Sequence, residues 1–127
     1  MLEKDQTILA IVQQDPRYRA EAYEFVFEAL DYTLKHREGP ARHVSGGEIM
    51  ESVRRLALEQ FGFLARGVLA QWGIHRTDDF GEIVFNLIEA DLLQKTANDS
   101  REDFQGLYDF EAVFDQAFGR TLQSVEI

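Results

Sequence analysis

Apolar residues recur at helical spacing over much of the chain. Between Pro16 and Arg37 they alternate in steps of four and three, and charged residues follow the same rhythm on another face. This pattern predicts one long amphipathic helix over 16–37, because one side suits a core and the other suits water. Asp15 can cap it and Pro16 fits its first turn. A shorter N-terminal helix is predicted within residues 1–15.

A capping box gives the clearest start of a helix. Ser45 and Glu48 stand three residues apart, and Val44 and Ile49 take the positions of a hydrophobic staple. The pattern predicts a helix from Gly46 to about residue 60.

Two further helices are predicted in the second half of the chain. The first covers 63–72 and ends at Gly73, and the second covers 78–92 after an acid-rich start. Gly67 interrupts the first of these helices. A glycine at such a place suggests that another backbone approaches closely.

The segments that follow predict a β-hairpin. Residues 93–96 and 104–108 flank a turn-rich acidic loop, and a further strand is possible near Ile74. Asp109 can cap a last helix with an apolar stripe, after which a frayed tail over 120–127 is expected. The expected fold is therefore a mostly α, small helical domain with one β-hairpin, whose element order is also that of a winged-helix (α+β) domain.

The size and composition fit one folded domain over residues 1–127. Hydrophobic residues make up 45% and 15 residues are aromatic, which is enough for a real core. No apolar run approaches the roughly 20 residues that span a bilayer, and the acidic N-terminus does not resemble a secretory signal. The chain has no cysteine, so disulfides and thiolate sites are excluded and the cytoplasm is the expected location.

The charge is unevenly distributed. The net charge of −10 divides into −3 over 1–40, +1 over 41–73 and −8 over 74–127. Nucleic acids and anionic membrane surfaces should therefore be repelled by the C-terminal half. We therefore expect neither a membrane nor a nucleic acid to be a partner of this protein.

Few residue patterns suggest chemistry. The three histidines lack the spacing of common metal motifs, and no catalytic residue or cofactor is predicted. The best ligand candidate is a weak anion site at the predicted helix start, where backbone N–H groups could receive an anion. Its residues are Arg42, His43, Ser45, Gly46 and Gly47. Glu48 at the same place would repel an anion.

Three stretches resemble a known but uncharacterised family. They are RHVSGGEIMESVRRLALEQFG (42–62), RTDDFGEIVFNLIEADLLQKT (76–96) and DSREDFQGLYDF (99–110). Together they resemble a conserved bacterial family found mainly in planctomycetes and verrucomicrobia. The resemblance implies an intracellular, stand-alone domain and implies no activity, cofactor or site residue.

The favoured functional hypothesis is a non-enzymatic interaction or assembly module that binds a protein partner or forms a homodimer. Phe27 and Phe85 are its candidate interface residues, because each flanks acidic positions on its helix. The alternative is a winged-helix-like regulator that binds nucleic acid through residues 42–66. Its basic residues would be Arg42, Arg54, Arg55 and Arg66. An enzyme of unknown type is the third hypothesis.

Overall fold

The computed structural model describes residues 2–36, 44–94 and 101–116, and every regular element in those ranges is helical. The mostly α prediction is therefore confirmed. The five α-helices are α1 (Leu2–Gln14), α2 (Ala20–His36), α3 (Gly46–Phe61), α4 (Ala65–Gln71) and α5 (Thr77–Glu89). Two 3₁₀ turns cover Gly62–Leu64 and Arg101–Phe104, and a π-helical segment covers Glu111–Gln116.

The core lies where α2 packs against α3 and α5, with α1 packed against α2 and α4 against α3. Its fully buried side chains include Tyr23, Val53, Phe80 and Leu87. One buried polar pair joins α2 to α3, since the hydroxyls of Thr33 and Ser52 lie 2.6 Å apart. Thr33 donates to a backbone carbonyl of its own helix, so this pair is satisfied inside the core.

The start of α3 agrees with the prediction. The Ser45 hydroxyl accepts a hydrogen bond from the Glu48 N–H at 3.2 Å, and the Glu48 carboxylate accepts one from the Ser45 N–H at 3.1 Å. Val44 and Ile49 are both buried. The capping box is therefore confirmed as the N-terminal boundary of α3.

The start of α2 differs from the prediction, because the helix begins at Ala20 and not at Pro16. The Asp15 carboxylate accepts from the Arg17 side chain at 2.7 and 2.9 Å and from Asn86 of α5 at 3.0 Å. The Asp15 carboxylate therefore stabilises the turn at residues 15–17 and binds α5, so it does not cap α2, which begins at Ala20.

The predicted β-hairpin and the winged-helix architecture are wrong for the part of the chain that the structure describes. Residues 101–104 form a 3₁₀ turn, and the chain then attaches to α5 by hydrogen bonds from the Gly106 N–H to Asp78 and from the Leu107 N–H to Thr77. These two backbone N–H groups donate to side chains at the start of α5, so they are not available for hydrogen bonds between strands. Residues 95–100, which contain the end of the first predicted strand and part of the predicted loop, lie outside the described ranges.

The side chain of Phe104 explains why this segment lies against α3 and α5. It lies so close to Gly46 and Gly81 that a Cβ at either glycine would come within 3.0–3.1 Å of a Phe104 side-chain carbon. Both glycines therefore let one buried aromatic ring fit between two helices.

The close backbone approach predicted at Gly67 occurs instead at Gly73. A Cβ on Gly67 would meet no atom within 4 Å, whereas one on Gly73 would lie 2.0 Å from the Arg17 carbonyl oxygen. Gly73 also has a φ of +94°, which favours glycine. The predicted end at Gly73 is confirmed, since α4 closes just before it; the expected strand near Ile74 is absent from this described segment.

Aromatic side chains hold α4 in place. The Trp72 ring lies 5.8 Å from Phe61 and 5.5 Å from Phe25 between centroids, and the Trp72 carbonyl accepts a hydrogen bond from the Arg19 N–H at 3.1 Å. These contacts join α2, α3 and α4 at one point.

Asp109 caps the last described segment, as predicted. Its carboxylate accepts from the Ala112 N–H at 3.1 Å, and Phe110 and Phe114 are buried. The segment is a π-helix, and its continuation and the tail over 120–127 lie outside the described residues. No helix in the described ranges is long and apolar enough to cross a membrane.

Candidate functional site

Two of the most exposed large apolar side chains in the described part of the chain lie next to each other, at the start of a groove on the outer side of α4. Phe63 is 63% exposed and its neighbour Leu64 is 57% exposed. Both belong to the 3₁₀ turn that leads into α4, while the inner side of α4 is anchored by buried Ala65 and Leu69. The sequence around them therefore places one face of α4 in the core and leaves two large apolar side chains in water.

We call this depression the α4 groove. Phe63, Gly67 and Ala70 follow one another at steps of four and three and so share one side of the helix. The groove is about 740 Å³, and Ile74, His75, Arg66 and Asp115 complete its lining. Gly67 leaves open space at its centre, because nothing lies within 4 Å of where its Cβ would be.

The rim of the groove is electrically balanced. Arg66 forms an ion pair of 2.6 Å with Asp115, and both side chains are partly exposed. Such an exposed pair contributes little stability by itself. It does leave the groove without an excess of either charge in a chain whose net charge is −10.

The two predicted interface residues lie elsewhere. Phe85 is only 8% exposed and is thus packed within its own chain, and the Arg101 guanidinium lies 5.0 Å above its ring. Phe27 is half-buried, with the Lys4 ammonium of α1 3.9 Å above its ring. The structure therefore covers both rings mainly by intramolecular contacts and does not bring them together with the α4 groove.

The candidate anion site finds little support in the geometry. Ser45 is occupied in the capping box, and Gly46 is buried beneath Phe104. Gly47 is exposed at the same helix start, where the Glu48 carboxylate already neutralises the helix dipole. Arg42 and His43 lie outside the described residues, so the anion site stays a prediction.

The basic residues assigned to nucleic-acid binding are engaged with carboxylates. Arg54 and Arg55 both donate to Glu51, and Arg66 pairs with Asp115. The hydrogen bond from Arg54 is the main reason that the pKa of Glu51 falls below its ordinary value and that of Arg54 rises. Arg42, the fourth of these residues, is outside the described ranges.

A small polar cleft between α2 and α3 contains residue types that catalysis uses. It has a volume of about 200 Å³ and brings Ser52, His36 and Glu51 together. The Ser52 hydroxyl is nevertheless bonded to Thr33, and His36 Nδ1 is bonded to the Tyr32 carbonyl at 2.9 Å. These groups serve the packing of two helices, and the geometry does not present Ser52 as an activated nucleophile.

Among the residues that the structure describes, no three histidine or acidic side chains come close enough to hold a metal ion. The predicted absence of a metal site and of a cofactor stays a prediction for the whole chain.

Sequence reasoning missed the α4 groove. It placed residues 63–72 in a helix but gave Phe63 and Leu64 no surface role, because apolar residues in an amphipathic pattern predict a core. One signal was available: Gly67 lies four residues after Phe63, and a glycine in a short helix leaves a gap on its surface.

Comparisons of this chain with known proteins identified no similar protein. No family model matches the chain, and neither a curated protein nor a solved structure matches it. The resemblance to an uncharacterised bacterial family stays a prediction, so the function has to follow from the geometry of the chain itself.

Proposed function

We propose that this protein is a non-enzymatic assembly module of the cytoplasm that forms a homodimer through the α4 groove. The observation that carries the proposal is the 63% exposure of Phe63, which lines the groove, together with the 57% exposure of its sequence neighbour Leu64. Leaving such side chains in water forgoes roughly 1.5–3 kcal/mol of burial for each. Large apolar anchors of this kind dominate the energy of protein interfaces.

A second copy is the occupant that the groove fits best. Phe63 projects at one end of the groove, and the gap at Gly67 lies one helical turn away. A two-fold axis over α4 would let Phe63 of each copy fill the gap at Gly67 of the other. Such a contact is self-complementary, as a closed dimer requires.

The charge distribution favours the same place. Two copies with a net charge of −10 repel each other, so they should meet where the chain is least acidic. Residues 41–73 carry +1, and the Arg66–Asp115 pair balances the rim. Across a two-fold axis, these two side chains can also pair with those of the other copy.

The expected affinity is moderate. Seven residues of α4 give a helix face of about 10 Å, which is short for an interface. We therefore expect an interface near the lower end of about 1,200 Å² and a dissociation constant in the micromolar range.

Sedimentation velocity over a range of protein concentrations tests the proposal. We expect the wild type to reach twice the mass of the 14.6 kDa chain. Phe63→Asp should remain folded, because most of this side chain is exposed, and should stay monomeric. Leu9→Asp is the matched control: Leu9 is 57% exposed on α1, outside the groove, and its substitution should leave the dimer intact.

A second variant tests the geometry of the groove. Gly67→Lys adds a side chain where the chain has open space, so the monomer should fold normally while the gap for Phe63 is filled. We expect this variant to be monomeric too. A wild-type protein that stays monomeric at about 100 μM, far above a micromolar dissociation constant, would contradict the proposal. So would a Gly67→Lys variant that dimerises like the wild type.

A further inference from the structure

A second, largely apolar cavity lies inside the fold, away from the α4 groove. It has a volume of about 220 Å³ and lies where α2, α3, α5 and the 101–104 turn meet. Leu30, Ile49, Val84, Ile88 and Phe104 supply hydrocarbon walls, and Gln94 is the polar side chain among the described residues of the lining. Well-packed interiors seldom leave a space of this size.

The cavity is in contact with solvent. Five of the buried apolar residues keep more than 3% exposure, and four of these five line the cavity: Val44, Ile49, Val84 and Phe85. The remaining buried apolar residues, Leu56 apart, are at most 3% exposed. Among the described residues, the residual exposure of the buried apolar side chains is therefore concentrated at this cavity.

We propose that this cavity binds a small neutral apolar molecule with one hydroxyl group. An apolar cavity of about 150 Å³ holds a benzene molecule. By proportion, the space here suits a molecule of about nine non-hydrogen atoms, the size of a medium-chain alcohol or a small alkylphenol. Hydrocarbon walls hold the apolar body, and the Gln94 amide can bond to the hydroxyl group.

Charge explains the preference for a neutral head group. Among the residues that the structure describes, the Arg101 guanidinium lies close to the lining, 5.0 Å above the ring of Phe85. Arg101 is already paired with Glu82 at 3.1 Å and with Glu89 at 3.9 Å. An anionic head group would therefore meet these two carboxylates, whereas a hydroxyl group would not be repelled.

Titration with octan-1-ol, followed by methyl NMR, tests the proposal. We expect saturable shifts at the methyl groups of Ile49 and Val84 and a rise in Tm. Octanoate, with the same chain length and a negative charge, should bind more weakly. Octanoate binding as tightly as octan-1-ol would overturn the assigned ligand class.

Two matched variants connect the binding to the cavity. Ile88→Phe adds volume in the lining and should weaken the binding of octan-1-ol about tenfold. Ile11→Phe makes the same change at another half-buried isoleucine, on α1 outside the cavity, and should leave the affinity unchanged. If Ile88→Phe does not fold, the wild-type methyl shifts decide alone. Unchanged Ile49 and Val84 signals up to the solubility limit of the alcohol, or equal weakening by both variants, would overturn the proposal.

Discussion

The Ser45 hydroxyl occupies a boundary where one hydrogen bond decides how a helix begins. It satisfies the Glu48 N–H, one of the donors that the first turn of α3 leaves without an intrahelical partner. Ser45→Ala should lower the free energy of unfolding by about 1 kcal/mol, and Ser45→Gly should lower it by only a few tenths. Urea melts of the three proteins measure both differences. An alanine variant as stable as the wild type would mean that the capping bond contributes nothing.

Two glycines of the same region should respond to alanine in opposite ways. Gly67→Ala should raise the free energy of unfolding by about 0.5–1 kcal/mol, because glycine weakens a helix interior and its Cβ would meet open space. Gly73→Ala should lower it by about 1–3 kcal/mol, since φ is +94° and the Cβ would collide with the Arg17 carbonyl.

Calorimetry of both variants at low protein concentration, where any dimer dissociates, measures these opposite shifts. The two changes in stability should have opposite signs but need not have the same size. Destabilisation by Gly67→Ala would show that space at that glycine is filled in solution.

At the scale of elements, the turn between α1 and α2 is attached to α5 through Asp15. Arg17 is the main reason that the pKa of Asp15 lies well below its ordinary value, and Asn86 adds a further hydrogen bond. A carboxyl with a lowered pKa in the folded state stabilises the protein above its unfolded pKa of about 3.9. That contribution is lost as the pH falls below this value, since the unfolded chain then binds the proton first.

Replacing Asp15 isolates this contribution. The wild type should be more stable than Asp15→Asn at neutral pH, and the difference should shrink steadily below about pH 4. Chemical denaturation at a series of pH values gives the difference directly. A gap that stays constant from neutral to strongly acidic pH would exclude the ionised Asp15 as its source.

The helices that sequence predicted well are those whose signals are local. The start of α3 depends mainly on Ser45 and Glu48, and four consecutive residues contain both partners. The Asp15 carboxylate, by contrast, is bonded to Arg17 and also to Asn86, which lies 71 residues away, and so it does not cap a helix at Pro16. The 104–108 segment likewise uses its donors on Thr77 and Asp78, which no local pattern reveals.

At the scale of the whole molecule, the ion pairs argue against binding to nucleic acid. Arg54, Arg55 and Arg66 each face a carboxylate, and the acidic residues outnumber the basic ones by 23 to 13. We expect no binding to mixed-sequence duplex DNA tighter than the weak non-specific range of about 100 μM at physiological salt. A gel-shift titration tests this. Micromolar binding that weakens steeply with added salt would show that these arginines leave their partners for phosphates.

The exposed surface at α4 could not be predicted from the sequence, because it depends on how the whole chain packs. Phe27, Phe63 and Phe85 stand in similar amphipathic patterns, yet the first is half-buried, the second exposed and the third buried. Their exposure depends on how the helices pack: Lys4 of α1 lies over the Phe27 ring and Arg101 lies over the Phe85 ring, whereas Phe63 remains 63% exposed. The sequence therefore predicted that one phenylalanine would remain exposed as a candidate interface residue, but it could not predict which one.

Trp72 makes the protein its own optical probe. It is the single tryptophan of the chain and packs on Phe25 and Phe61 at the junction of α2, α3 and α4. Its ultraviolet emission therefore arises from one known site and should shift to longer wavelength when α4 separates from the other two helices. Local detachment of α4 can in this way be observed apart from the loss of helix as a whole, without any label.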